Sequence, residues 1–283
     1  MTHFENPGTP VAYRSIDVAV NDGIGWLTFS RPQVLNAFDP ELIDETNRAM
    51  AAFDEDDSVR VVIVRGSGRA FSAGFDIKAS AQAGERTAVQ WRQMLEADFD
   101  FVMQFWDCPK PTIAAVHGYC VGGAFEVMLA CDVTVAGEGA LFGEPEVRFG
   151  SGIVALLLPW IAGPKAAKEI LLTGQDRLSA ARAREIGIVN HVVPDNDVMA
   201  KAEAIARDMI AAAPGSVRMT KRAINRTYDI MGMRQALLQA LETDILIETS
   251  GGPERAEFNR IRREQGLKAA LAWRDARFRA PPS

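Results

Sequence analysis

The stretch that most narrows what this chain can fold into is HGYCVGGAFEVMLACD, at residues 117–132. A β-like run at 112–116 leads into it, Gly118, Gly122 and Gly123 interrupt it, and an apolar helical run follows at 124–131. Glycines at a strand-to-helix junction let the backbone come close to a ligand, and the first helical turn leaves N–H groups without partners. With the helix dipole behind them, those groups suit a developing negative charge. Glu126 stands inside the apolar run, where the pattern asks for a hydrophobe. Burying a carboxylate unpaired is costly, so it needs a partner or a chemical task. A glutamate in a first helical turn is also favoured by capping, and that reading stands beside the other. The expectation is an oxyanion site with a carboxylate next to it.

Composition narrows the function class. The 283 residues are 48% hydrophobic and 24% charged, as in an ordinary globular protein with room for a sizeable core. A net charge of −6 and a pI near 5.3 argue against a general nucleic-acid binder. Nor does the chain carry a basic, aromatic-rich stripe for RNA. Cys108, Cys120 and Cys131 lack metal or disulfide spacing and fit a reducing compartment. The start, MTHFENPGTP, has no basic-then-apolar signal. The apolar run at 153–162 is too short to span a bilayer and contains Pro159. A cytoplasmic protein with no membrane partner is expected. The histidines are scattered, which gives a zinc site or a triad little support.

Taken in order, residues 13–20 and 24–29 alternate as strands across Asn21-Asp22-Gly23, a hairpin turn. Asp39-Pro40 reads as an N-cap with proline at the first helical position. The helix it opens has Leu42, Ile43, Thr46, Ala49, Met50 and Phe53 on its inner face. Residues 59–64 form a strand buried on both faces, and the loop RAFSAGFDIK follows at 69–78. A long helix covers 87–107, and another buried strand covers 132–136 before the loop GEPEVRFGSG. Beyond residue 153 helices are expected at 164–172, 179–186, 195–213, 216–228 and 234–249, with a last short strand at 188–193. Strand, glycine loop and helix recur, so the class is α/β with sites at the carboxyl ends of strands. The expected division is a core over residues 1–200 and a helical C-terminal region over 201–283.

Two glycine loops thus follow strands, each with an acid nearby. If both open on one pocket, each offers a main-chain N–H to the same oxygen, whatever its side chain. Such a pair of donors stabilises an enolate or tetrahedral oxyanion by several kcal/mol. Read alone, either loop is also a plain tight turn. Glu146 follows Glu144 and Pro145 in a rigid turn, where it is either solvated or chemically active. His117 reads as a polar residue at a strand end, and Asp132 as a cap or anchor for the strand after the central helix.

Four segments, IDVAVNDGIGWLTFSRPQVLNAF, FSAGFDIK, HGYCVGGAFEVMLACD and FGEPEVRFG, occur in this order. Together they resemble the enoyl-CoA hydratase/isomerase (crotonase) superfamily over about residues 12–230. The resemblance implies a crotonase-like spiral of repeated β-β-α units with a helical C-terminal region that makes the contacts of a homotrimer or dimer of trimers. It implies an acyl-CoA substrate and no cofactor, coenzyme A being part of the substrate, and no metal. It places the oxyanion hole on the backbone N–H groups of Phe75 and Gly123 and the catalytic acids at Glu126 and Glu146. The substrate-binding positions it implies are Arg31, Val34, Ala73, Asp76, Ile77, Lys78 and Gly122. The implied reaction is hydration of a 2-enoyl-CoA through a stabilised enolate. One carboxylate activates water while the other manages the proton delivered to the α-carbon.

The chain also departs from the familiar hydratases. Those continue past the second glutamate with a proline and a glycine pair before Thr-Gln-Arg, whereas this chain reads RFGSGIVALLLPWIAG. That difference opens both the acyl preference and the reaction type. Gln33 replaces the lysine of an Arg-Pro-Lys start to the CoA loop. The basic tail, with Arg260, Arg262, Arg263, Lys268 and Arg274, is either a further CoA contact or a solvated or oligomer-packing helix. The alternatives to hydration are a Δ3-Δ2-enoyl-CoA isomerase, a carnitinyl-CoA-type dehydratase and a weakly catalytic acyl-CoA-binding paralogue.

Overall fold

The structure, a computed structural model, describes residues 13–77 and 86–278. Strands β1 (Ile16–Asn21) and β2 (Ile24–Phe29) pair antiparallel across Asp22-Gly23, whose φ angles of 51° and 82° match a tight hairpin turn. Helix α1 (Pro40–Glu55) starts where Leu42 N donates to the Asp39 carboxylate at 2.9 Å. Its buried face holds the expected Leu42, Thr46, Ala49, Met50 and Phe53, with Glu45 added and Ile43 only half-buried. Strands β3 (Val61–Gly66) and β4 (Thr112–Val116) run parallel side by side. Between them, helix α2 (Ala88–Asp107) opens on a capping box made by Thr87 and Gln90.

After β4 the chain makes a second short strand, β5 (Tyr119–Val121), before helix α3 (Gly123–Ala130). The same happens one repeat later, where β6 (Val133–Gly137) is followed by β7 (Leu141–Gly143). Three residues are too few to show an alternating pattern, which is why the sequence assigns no strand to these stretches. The larger sheet has the order β1-β2-β3-β4-β6-β9, with β9 at His191–Val193. The smaller has the order β5-β7-β8, with β8 at Leu178–Ser179. Apart from the β1/β2 and β7/β8 pairs, all pairings are parallel. Bridges between Phe38 and Phe75 and between Ser72 and Cys120 extend the smaller layer into the earlier repeats. Each repeat therefore sends its first strand to one sheet and its second strand or bridge to the other. This is the β-β-α spiral that the resemblance implies.

One core joins Leu27, Phe29 and Val64 of the larger sheet to Phe142 of the smaller one, with Phe101 and Phe105 of α2 and Phe125 of α3 between them. After helices α4 (Leu158–Ile161), α5 (Gly163–Thr173) and α6 (Ala180–Glu185) comes α7 (Val198–Ala211). It spans residue 200 and packs Val198, Ala202 and Ala206 on the other face of the larger sheet, against Ile63, Ile113 and Val135. Helices α8 (Pro214–Ile230), α9 (Met233–Ser250), α10 (Pro253–Gln265) and α11 (Leu267–Ala276) complete the described chain. Among the described residues no helix is long and apolar enough to cross a membrane.

Candidate active site

The glycine junction joins β5 to α3. Gly122 precedes α3 with φ 60° and ψ −138°, a conformation that an L side chain rarely adopts, and its N–H donates to Gly143 O at 2.9 Å. A Cβ at Gly122 would lie 2.6 Å from Glu146 Oε1. A Cβ at Gly74 would lie 2.9 Å from Gly123 N, and one at Gly123 would lie 2.4 Å from the Phe75 ring. The 72–75 loop, the head of α3 and Glu146 therefore meet at one place. Phe38 N donates to Gly74 O at 2.8 Å and Asp76 N to Phe38 O at 2.9 Å, which leaves the intervening Phe75 amide out of the bridge. Among the described residues neither the Phe75 nor the Gly123 N–H donates to a protein acceptor.

Three carboxyls converge on this junction. Glu126 is 2% exposed, and Val154 N (3.2 Å) and Ala155 N (2.8 Å) donate to its two oxygens. The segment that departs from familiar hydratases is thus the one that caps Glu126. Burial and the neighbouring Glu146 charge hold its proton affinity well above that of an ordinary glutamate, against the pull of the two amides. Glu144 is also 2% exposed and raised well above normal by burial, then by Glu146 and Glu126. Glu146 is half-buried and raised by burial, while a hydrogen bond from Glu144 favours its charged form. Glu144 Oε1 and Glu146 Oε2 are buried and receive no N–H or hydroxyl donor from the described residues. The two side chains stand two residues apart on one turn and interact, and a hydrogen bond between two carboxyls needs a proton on one of them.

Further acids extend the cluster and were not foreseen. Asp244 on α9 is 2% exposed, seats against Gly152 and is raised to about 7 by burial and by Glu248. Asp98 on α2 is raised to about 7 by burial, with Asp244 adding to the effect and Arg86 opposing it. The signal was in the sequence: Leu237, Leu241, Asp244, Ile245 and Glu248 form one buried helical stripe with two acids in it. Arg255 ties the same helix to the departing segment, donating to Ser151 Oγ at 3.0 Å and pairing with Glu248 at 2.5 Å.

The positions expected to bind substrate are less uniform. Arg31 pairs with Asp39 at 2.8 Å and with Asp76 at 3.3 Å, so both Arg31 and Asp76 brace the loop before α1 against the 72–77 segment. Val34 ends a short 3-10 turn, and Ala73 N donates to Leu35 O at 2.9 Å. Ile77 O accepts from Arg262 at 3.3 Å. Gly122 lies at the junction itself, and Lys78 lies outside the described residues. Asn36 was not foreseen. It is fully buried, and its amide donates to Ser67 O at 2.8 Å and Ala70 O at 2.9 Å, locking the two loops together. In the tail, Arg260 pairs with Glu257 and Glu264 on its own helix. Arg274 is buried against Asp275 at 2.7 Å and Asp176 at 3.6 Å. His117 Nε2 sits 2.9 Å from Gly68 O. Asp132 accepts from Thr112 N at 2.7 Å and so anchors the start of β6, as expected.

A two-layer β-β-α spiral carrying paired acids at a glycine junction defines a narrow class of protein. The enoyl-CoA hydratase/isomerase family profile matches residues 19–250, more than half of the chain. The chain belongs to this family, within the crotonase superfamily. A solved enoyl-CoA hydratase/isomerase from Xanthobacter autotrophicus Py2 superposes with a TM-score of 0.93 at 53% identity, covering 95% of this chain and 100% of that one. A probable enoyl-CoA hydratase from Mycobacterium bovis is 33% identical over 232 residues, 77% of this chain and 84% of the relative. A probable mitochondrial enoyl-CoA hydratase from Dictyostelium discoideum is 36% identical over 214 residues, 73% of this chain and 74% of the relative.

Proposed function

We propose that this chain is an enoyl-CoA hydratase that adds water across the double bond of a 2-enoyl-CoA. The observation that carries the reading is the convergence of Glu126 and Glu146 with the undonated Phe75 and Gly123 amides. In this reading both amides donate to the thioester oxygen, which gains charge as the enolate forms. One carboxylate takes a proton from water as the water oxygen bonds to the β-carbon. The enolate then collapses and its α-carbon takes a proton from the other acid. Two coupled carboxyls suit this work because one holds a proton while the other is charged. The thioester supplies the activation, so the chemistry asks for no metal or redox cofactor, and coenzyme A is the handle of the substrate. Arg31, Val34, Ala73, Asp76, Ile77, Lys78 and Gly122 belong to the same proposal as CoA-side positions.

Assembly as a homotrimer or dimer of trimers is part of the proposal. It is supported by exposed Met219, Ile224, Ile230 and Met231 on and just after α8, with Leu246 on α9. A cytoplasmic location is supported by three unpaired, buried cysteines.

One observation favours isomerisation as a second reading. Both Glu126 oxygens already receive backbone amides, so Glu146 is the better placed to shuttle a proton alone. The test offers crotonyl-CoA and a 3-enoyl-CoA separately and follows the absorbance of the conjugated thioester. Hydration removes it from the first, and isomerisation creates it from the second. Under the hydratase reading Glu126→Gln and Glu146→Gln each lower kcat by about a hundredfold or more. Unchanged turnover in both variants on every acyl-CoA tried would overturn the assignment of these residues.

A further inference from the structure

We propose that Glu144 is a positioning residue for Glu146: a neutral carboxylic acid that donates its one proton to Glu146 and fixes the direction in which that carboxyl faces the Gly122 junction. The proposal rests on Glu146 being a working acid of the site.

The geometry starts from the turn. Glu144 N donates to Gln175 O at 2.8 Å, and Gly143 is packed so closely that a Cβ there would lie 2.1 Å from the same carbonyl. Pro145 follows, so Glu144 and Glu146 sit on a short, stiff piece of backbone with little freedom to separate. The Glu144 side chain is 2% exposed, so its polarity is not met by bulk water. Its Oε1 and Glu146 Oε2 are both buried and receive no donor from the described residues. Two carboxylates placed so would repel; one proton between them turns the contact into a hydrogen bond.

The proton belongs on Glu144. That side chain faces Glu146, Glu126 from α3 and Asp244 from α9, all acidic, and the buried Cys120 thiol from β5. Glu146 also feels Glu126, Asp244 and Glu248, but it alone gains a hydrogen bond from Glu144, its own backbone amide and Arg274 from α11, all of which favour its charge. Glu146 Oε1 lies beside Gly122, so the orientation held by this hydrogen bond is the orientation offered to whatever sits at the junction.

The experiment compares Glu144→Leu, Glu144→Gln and Glu146→Gln by kcat, KM and pH profile, with infrared spectra of the unsubstituted protein and of E144Q. Removing the donor in E144L lowers kcat between about tenfold and a hundredfold with KM within about threefold, the size of one charge-assisted hydrogen bond. E144Q still donates, so kcat at neutral pH stays within about threefold. It cannot ionise, so the fall in kcat at alkaline pH, where Glu144 would lose its proton and repel Glu146, moves to higher pH or disappears. E144Q also removes intensity from the carbonyl band of neutral carboxylic acids. If E144L does not fold, E144Q and the spectra decide. An alkaline limb and an acid band that E144Q leaves unchanged would overturn the proposal. Turnover unaffected by E146Q would instead refute the role of Glu146 on which it stands.

Discussion

A methyl group in place of one hydrogen at Gly122 would sit 2.6 Å from Glu146 Oε1, on a residue whose φ is 60°. Gly122→Ala is therefore expected to lower kcat by at least about tenfold and to cost about 1–3 kcal/mol of stability. Steady-state kinetics and a denaturant titration read the two effects, and an alanine variant with wild-type values for both would contradict the junction geometry. At this scale the sequence was most legible where a residue broke a pattern. Glu126 stood out as an acid in an apolar helical run, and it is buried with both oxygens capped. Glu144 did not stand out, because an acid in a proline turn reads as solvated until the packing of Gly143 and Gln175 closes over it. Asn36 was invisible for a similar reason. Its three carbonyl partners are more than thirty residues away in sequence, and locally its Oδ1 only accepts from Arg31 N.

Helix α8 is fastened to the sheet through Lys221, which is 8% exposed and pairs with Asp132 at 2.7 Å while donating to Lys110 O at 3.1 Å. Removing the ammonium leaves Asp132 partly buried without its counter-charge. Lys221→Met is expected to cost about 2 kcal/mol, less than a fully buried pair because the Asp132 side chain is 22% exposed. Urea unfolding of K221M, D132N and the double variant checks this. Strict additivity of the two single costs would mean that the pair is not coupled. Several helices were legible: α1 from the Asp39-Pro40 cap and its apolar inner face, α2 as a long helix over 87–107 and α6 within 179–186. The short strands β5 and β7 were not, since each consists of three residues whose partners lie in another repeat.

Across the whole molecule, the buried acids tie stability to pH. Asp244 holds its proton up to about 7 when folded, against an ordinary aspartate value of 3.8. A folded-state value above the unfolded one means that the folded protein binds the proton more tightly. Its contribution is full below 3.8 and is lost as pH rises towards about 7. Glu126 and Glu144, raised in the same direction, add to the loss as pH rises. The thermal midpoint is therefore expected to fall as pH rises through this window. Asp244→Asn should flatten part of that fall, by at most about 4 kcal/mol. A midpoint that is flat or rises with pH would show that these acids ionise without penalty. Local composition and periodicity determined that the chain is α/β, where its long helices begin, and that one acid beside a glycine junction needed explaining. These follow from backbone conformation and burial, which neighbouring residues set. Only the tertiary structure decided that the 72–75 loop, Glu146 and the head of α3 share one place, and that Glu144, Asp244 and Asp98 stand behind them. The protonation of a buried acid depends on charges and solvent exclusion contributed by distant segments, and folding alone brings those together.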